Sequence, residues 1–258
     1  MQTVERISLP LACDLGSNDG ADTAYLLEKG FRVLAVDADP SLAAAVSEAF
    51  SEAVHEQRLV VLNAAVSSQA GATDFFVSGA STHWSSCVED KARFGGSAVT
   101  RISVPTIAWA AIVAGYGEPV LVKADIEGNE VDLLDQMMSA RPAKLPYLAL
   151  ELSKDNYAAI FERAVSLGYA ECKLVNQIHA MGERMIRHLD GRRTVRSFPK
   201  GSSGPMHDDL DGANWVALTE GRRRYDLFRE LRDLDARELT PGWLDLHLRS
   251  PDAEDAGG

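Results

Sequence analysis

Four apolar runs of strand length in this chain stop at an acidic side chain: Leu9 to Leu15 around Asp14, Phe31 to Val36 before Asp37, Pro119 to Ala124 before Asp125, and Tyr147 to Leu150 before Glu151. A helix-like segment follows each run. Asp22 to Lys29 is closed by Gly30, and Pro40 to Phe50 carries Leu42, Val46 and Phe50 at helical spacing. Glu130 to Met138 follows the third run, and Asn156 to Leu167, closed by Gly168, follows the fourth. Strand–helix repetition of this kind predicts a mostly parallel sheet with helices on both faces. Right-handed crossovers then gather the C-terminal ends of the strands on one edge, where α/β folds bind ligands. The four acids belong to that edge.

The rest of the first two-thirds fits the same frame. Leu59 to Leu62, Thr73 to Val77, Arg101 to Val104 and Tyr169 to Val175 read as strands, and Thr106 to Ala114 as a helix. A Ser/Gly-rich loop holding His83 and Trp84 separates the second and third of these strands. After Gln177 the pattern changes. Ile178 to Ala213 is polar and Arg-, Gly- and Ser-rich, too long for a simple connection, and is expected to be a functional lid or partly disordered. Asn214 to Leu218 is strand-like, Arg222 to Leu234 is a charged amphipathic helix, and Trp243 to Leu248 is a short final segment. The expected organisation is one domain over 1–258, with a basic lid at about 178–213 and a mobile acidic tail at 251–258.

Composition narrows the classes. The net charge of −12 opposes nonspecific binding to nucleic acid or anionic membranes. No apolar run approaches the roughly 20 residues of a membrane helix. The first six residues show no basic start followed by an apolar stretch, so no signal peptide is expected. Cys13, Cys87 and Cys172 are an odd, sparse set without metal-ligand spacing, which argues against disulfides and zinc and for a reducing cytoplasm.

Three motifs carry chemistry. Asp14-Leu15-Gly16-Ser17-Asn18-Asp19-Gly20 takes a strand through a glycine turn into a helix. Gly16 permits close approach of a ligand, and Gly20 permits close helix–strand packing. The pattern is neither the G-x-G-x-x-G of dinucleotide enzymes nor a P-loop. Asp14 suits a positively charged ligand group, such as the ammonium of S-adenosylmethionine, better than a pyrophosphate; a capped glycine turn would use the same residues. Asp37, about 20 residues past the glycines, stands where nucleoside-binding units hold the ribose hydroxyls, while Asp39 before Pro40 suits a helix N-cap. Lys123-Ala124-Asp125-Ile126-Glu127-Gly128-Asn129-Glu130 crowds acids and a lysine onto one strand end. Glu130 favours the helix start, and strand alternation allows a Lys123–Asp125 ion pair.

These stretches, with Val36-Asp37-Ala38-Asp39-Pro40 and Asn63-Ala64-Ala65-Val66, resemble the FkbM-type methyltransferases over roughly Leu11 to Leu152. The most specific match is the Lys-x-Asp-x-Glu-Gly-x-Glu stretch at Lys123–Glu130. Asp37-Ala38 stands where the family usually has Glu-Pro. Lys173-Leu174-Val175-Asn176-Gln177 and Gly201-Ser202-Ser203-Gly204-Pro205 are similar to features of a subset of the family. The resemblance implies a Rossmann-like class I methyltransferase fold with a mostly parallel seven-stranded sheet. It also implies methyl transfer from S-adenosylmethionine to a hydroxyl of a sugar, glycan or polyketide-type molecule.

On that reading the cofactor residues are Asp14, Gly16, Ser17, Asn18, Gly20, Asp37, Ala65 and Asp125. A hydroxyl is a poor nucleophile, so a general base helps, and Asp125, Glu127, Glu151 and His83 are the candidates. Asp125 and Glu151 also suit a divalent metal ion, although nothing in the spacing demands one. Arg184, Arg187, Arg192, Arg193, Arg196 and Lys200 reverse the local sign of charge. A lid using Arg192, Arg193 and Arg196 would attract an anionic acceptor; a solvated loop pairing with surface acids would carry the same residues. The sequence is compatible with a homo-oligomer. An NAD(P)-dependent oxidoreductase is the enzymatic alternative, disfavoured by the missing G-x-G-x-x-G. A non-catalytic nucleoside-binding protein is the other.

Overall fold

A computed structural model describes residues 9–140, 146–210, 212–234 and 240–250. The first residues, read for a leader, and the acidic tail at 251–258 lie outside the described residues.

In chain order, Leu11–Leu15 (β1) turns into Ala21–Lys29 (α1), followed by Arg32–Asp37 (β2), Pro40–Ala49 (α2), Ser51–His55 (α3) and Leu59–Asn63 (β3). An insertion comes next: Ala65–Val66 (β4), Ala72–Ser78 (β5), Glu89–Ala92 (α4) and Val99–Ile107 (β6). Then come Trp109–Tyr116 (α5), Leu121–Ala124 (β7), Glu130–Ala140 (α6), Tyr147–Glu151 (β8), Tyr157–Ser166 (α7) and Glu171–Asn176 (β9). The last part holds Gln177–Ala180 (α8), Gly182–Arg187 (β10), Arg193–Phe198 (β11), Val216–Ala217 (β12), Leu218–Asp233 (α9) and Leu244–Arg249 (β13).

The main sheet runs β12-β9-β13-β8-β7-β1-β2-β3. Its β8-β7-β1-β2-β3 part is parallel, β13 is antiparallel to both its neighbours, and the two-residue β12 extends the seven expected strands. Alternate residues feed cores on the two faces. Cys13, Leu15, Leu34 and Val36 pack with Trp109, Leu133 and Phe161. Ala12, Val33 and Ala35 pack on the other face with Tyr25, Leu26 and Val46. The helices start and stop as their residues dictate. Gly30 (φ 101°) closes α1 through its N–H, and Asp39 caps α2 by accepting from the Ser41 N–H at 2.8 Å ahead of Pro40.

Three expectations change. The helix expected from Thr106 starts at Trp109, because Thr106 and Ile107 extend β6 to pair with Ala65 and Val66. Trp243 to Leu248 supplies β13, a strand between β8 and β9 rather than a short final segment. The segment 178–213 contains a β10–β11 hairpin docked on α1. Its inner residues Ile186 and Phe198, with Met206, are buried against Tyr25 and Phe31. The fully buried Lys29 fastens it by donating to Arg187 O (2.7 Å), Asp208 Oδ1 (2.6 Å) and Asp209 Oδ2 (2.7 Å). Among the described residues no helix is long and apolar enough to cross a membrane.

Candidate active site

The C-terminal ends of β1, β2 and β7 open onto a pocket lined from one side by Gly16 to Asp19 and from the other by Asp125 to Glu127. The β4-β6-β5 insertion and its loop supply the outer wall through Ala65, Val66, Phe75, His83 and Cys87. Gly201, from the loop after β11, reaches the same wall: a Cβ there would stand 2.9 Å from the His83 ring.

The β1 turn is built tightly. Gly16 has φ +80°, and a Cβ on it would stand 1.8 Å from the Asp125 carbonyl oxygen. A glycine is therefore required by the approach of the chain's own β7 end, and Gly16, expected to admit a ligand, also lines the pocket. Gly20 (φ +81°) does not line the pocket; a Cβ there would meet Phe50 and Val46, so its role is packing α1 on α2. Ser17, Asn18 and Ala65, expected to touch the cofactor, line the pocket. The Ser17 hydroxyl is buried and has no hydrogen-bond partner.

Asp37 lines the pocket from the end of β2. Its two oxygens accept from the Asn18 N–H (2.7 Å) and the Asp39 N–H (2.8 Å), so it orders both the glycine turn and the approach to α2. Burial raises its pKa against the lowering effect of those two N–H groups.

Asp14 is different from its expectation. It is fully buried, accepts the Thr23 hydroxyl at 2.6 Å, lies 3.3 Å from Lys123 Nζ, and is not among the pocket-lining residues. The reason is register: Asp14 and Lys123 are cross-strand partners on β1 and β7. The Lys123 partner expected to be Asp125 is therefore Asp14, and Lys123 also donates to Gly16 O at 2.7 Å. Asp22, which sequence reasoning passed over, lines the pocket beside Lys123, 3.6 Å from its Nζ.

Acids collect beyond β7. Asp125, Glu127 and Glu151 each offer an oxygen, all within 4.8 Å of one another. Asp125 and Glu127 line the pocket, whereas Glu151 stands behind them. Glu130 is committed to structure, accepting from the Ile126 and Gly128 N–H groups and from Asn156. Glu127 sits at φ +47°, held by its carbonyl accepting the Ser86 hydroxyl (2.6 Å). Burial, then Asp125, pushes the Glu127 carboxyl up to about 8, and the same causes push Glu151 well up. Asp245 on β13, the register partner of Glu151, is raised as well and is held by Gln177 at 2.6 Å. Asp245 carries no local sign in the sequence and enters only through the antiparallel β13. Such a group can carry a proton between carboxyls or seat a divalent ion.

His83 lines the pocket with Nδ1 2.8 Å from Asn18 Nδ2. The arginines expected in a lid are elsewhere. Arg192 pairs with Asp190, Arg196 with Glu28 on α1, and neither they nor Arg193 line the pocket. The hairpin packs on α1, and among the described residues of this segment Gly201, in the loop after β11, reaches the site.

A family model described as the methyltransferase FkbM domain matches residues 14–174. The chain belongs to the FkbM methyltransferase family. That membership removes the dinucleotide oxidoreductase from consideration. The chain is similar in fold to a methyltransferase FkbM from Methylobacillus flagellatus KT, at 16% identity and TM-score 0.44, over 73% of this chain and 42% of that one. It is similar to a SAM-dependent O-methyltransferase from Thermotoga maritima at 8% identity and TM-score 0.39, over 93% and 59% of the two chains. A precorrin-6y C5,15-methyltransferase from Geobacter metallireducens GS-15 matches at 12% identity and TM-score 0.36, over 75% and 78%. This FkbM chain thus spans less than half the length of the first of these. No curated protein matches it.

Proposed function

We propose that this FkbM-family protein is an S-adenosylmethionine-dependent O-methyltransferase acting on a hydroxyl of a sugar, glycan or polyketide-type small molecule. The observation that carries the reading is the meeting of two unlike walls in one pocket: the Gly16–Asn18 turn tied to Asp37, and the Asp125–Glu127 carboxyls.

The residues present fit the cofactor. The Asp37 carboxylate, with lone pairs left after its two N–H bonds, suits ribose hydroxyls. Ala65, Val66, Leu42 and Phe75 offer apolar surface for a base, and the orphaned Ser17 hydroxyl offers a donor. When bound, S-adenosylmethionine supplies an electrophilic methyl on a sulfonium. The protein's own task is to orient an acceptor hydroxyl in line and take its proton. Glu127, which lines the pocket, is our choice of base, with Glu151 and Asp125 adjacent to relay or share the proton. His83, anchored by Asn18, is the second candidate base.

The test is incubation with S-adenosylmethionine labelled in its methyl group and a panel of free sugars, nucleotide sugars and hydroxylated polyketides, followed by mass spectrometry. A mass gain of one methylene equivalent on a hydroxyl supports the reading. Methyl transfer confined to nitrogen or carbon acceptors overturns the oxygen assignment.

A further inference from the structure

Three buried side chains share the part of the pocket beside the β1 turn. Lys123 is 4% exposed, Asp22 5% and Ser17 3%. Lys123 donates to Gly16 O at 2.7 Å, and its Nζ stands 3.3 Å from Asp14 Oδ1 and 3.6 Å from Asp22 Oδ2. Asp14 alone matches the lysine in charge. Asp22 therefore adds a second buried carboxylate to one ammonium. Its other contacts are with the Ser203 N–H at 3.0 and 3.2 Å, which satisfy hydrogen bonding without supplying a cation. Ser17 lines the same pocket, and its buried hydroxyl has no partner. Burying an excess carboxylate and an unsatisfied hydroxyl together is costly unless a ligand completes them.

We propose that Asp22, Lys123 and Ser17 form the seat for the zwitterionic amino-acid end of the cofactor, with Asp22 taking the α-ammonium and Ser17 and Lys123 the α-carboxylate. This rests on the S-adenosylmethionine reading above and replaces Asp14, which faces away, as the ammonium ligand. The seat supplies an anion for a cation and two donors for an anion, side by side, as an α-amino acid requires. Burial lifts the Asp22 carboxyl to about 6, opposed by Lys123, and a bound ammonium would pull it back down. Ser203 brings the loop after β11 onto Asp22, so the C-terminal segment helps to shape the seat.

Calorimetric titration with S-adenosylhomocysteine and with 5′-methylthioadenosine, which lacks the amino-acid end, separates the possibilities. Asp22→Asn keeps an acceptor for the Ser203 N–H and removes only the charge. Ser17→Ala breaks no internal hydrogen bond and carries the test if Asp22→Asn fails to fold. Each variant should weaken S-adenosylhomocysteine by about tenfold or more, the loss of one charge-assisted bond, and leave methylthioadenosine within about twofold. Equal weakening of both ligands, or no weakening of either, overturns the seat. Failure of the unsubstituted protein to bind S-adenosylhomocysteine overturns the cofactor reading itself, a result visible before any variant is made.

Discussion

The carbonyl oxygen of Asp125 lies where a side chain at residue 16 would begin, 1.8 Å from the position of a Cβ on Gly16. This contact fastens the glycine turn of β1 to the end of β7, with the Asp125 N–H donating to Leu15 O at 3.0 Å. Gly16→Ala must both adopt φ +80° and push β7 away. The expected loss is about 3 kcal/mol or more, a fall of roughly 6–12 °C in melting temperature for a domain of this size. Differential scanning calorimetry checks it, and an unchanged melt would show that the turn relaxes without cost.

The hairpin at 182–198 is held by Lys29 more than by its exposed arginines. Lys29→Ala leaves the Asp209 carboxylate buried with its cation gone, which costs about 3–5 kcal/mol when a buried pair is broken. Hydrogen exchange should speed up across β10, β11 and residues 206–209 first. Arg192→Ala, which removes only an exposed pair with Asp190, should leave exchange unchanged. Equal effects of the two substitutions would place the fastening elsewhere.

His247 makes stability pH-dependent in a stated direction. It is fully buried on β13, with Nδ1 2.7 Å from the Tyr147 hydroxyl, and burial, then Lys173, lowers its pKa from 6.5 to about 3. Between those values the unfolded chain binds a proton that the folded chain does not. Stability from this group is therefore complete above pH 6.5 and is lost as pH falls towards 3. His247→Gln should flatten the acid side of the stability curve by up to about 1.4 kcal/mol per pH unit. Urea melts from pH 7 to pH 4 measure this, and parallel curves would contradict it.

Glu127 and Glu151 divide the proton's work if the carboxyl group acts as base. Glu127→Gln should lower kcat by about a hundredfold or more while S-adenosylhomocysteine affinity stays within threefold. Glu151→Gln, one step behind the pocket surface, should cost less. A large loss of cofactor affinity in either variant would move these residues from the proton to the cofactor.

The sheet was legible because each parallel strand is a local apolar run, and four of the five, β1, β2, β7 and β8, run into an acid at their ends. The Asp39 cap was legible from its place before Pro40, and the position of Asp37 at the pocket from its place at a strand end. What was hidden depends on pairing across the chain. Asp14 is turned from ligand to ion-pair partner by its register with Lys123, 109 residues away along the chain. Asp245 joins the acid group only because β13 inserts antiparallel between β8 and β9. In the 178–213 segment, one buried residue per strand, Ile186 and Phe198, stands among arginines, so the strand period is masked by charge. Asp22 carried a weak sign: an acid in the first turn of α1 is favoured by the helix dipole anyway, and that sufficient cause concealed its place in the pocket.

The most direct measurement is calorimetric titration of the protein and its Asp37→Ala variant with S-adenosylhomocysteine, with NAD as control. Saturable binding by the protein, at least about tenfold weaker binding by Asp37→Ala and no binding of NAD are predicted. Absence of saturable S-adenosylhomocysteine binding, or equal binding by the variant, would contradict a strand-end cofactor site organised by Asp37.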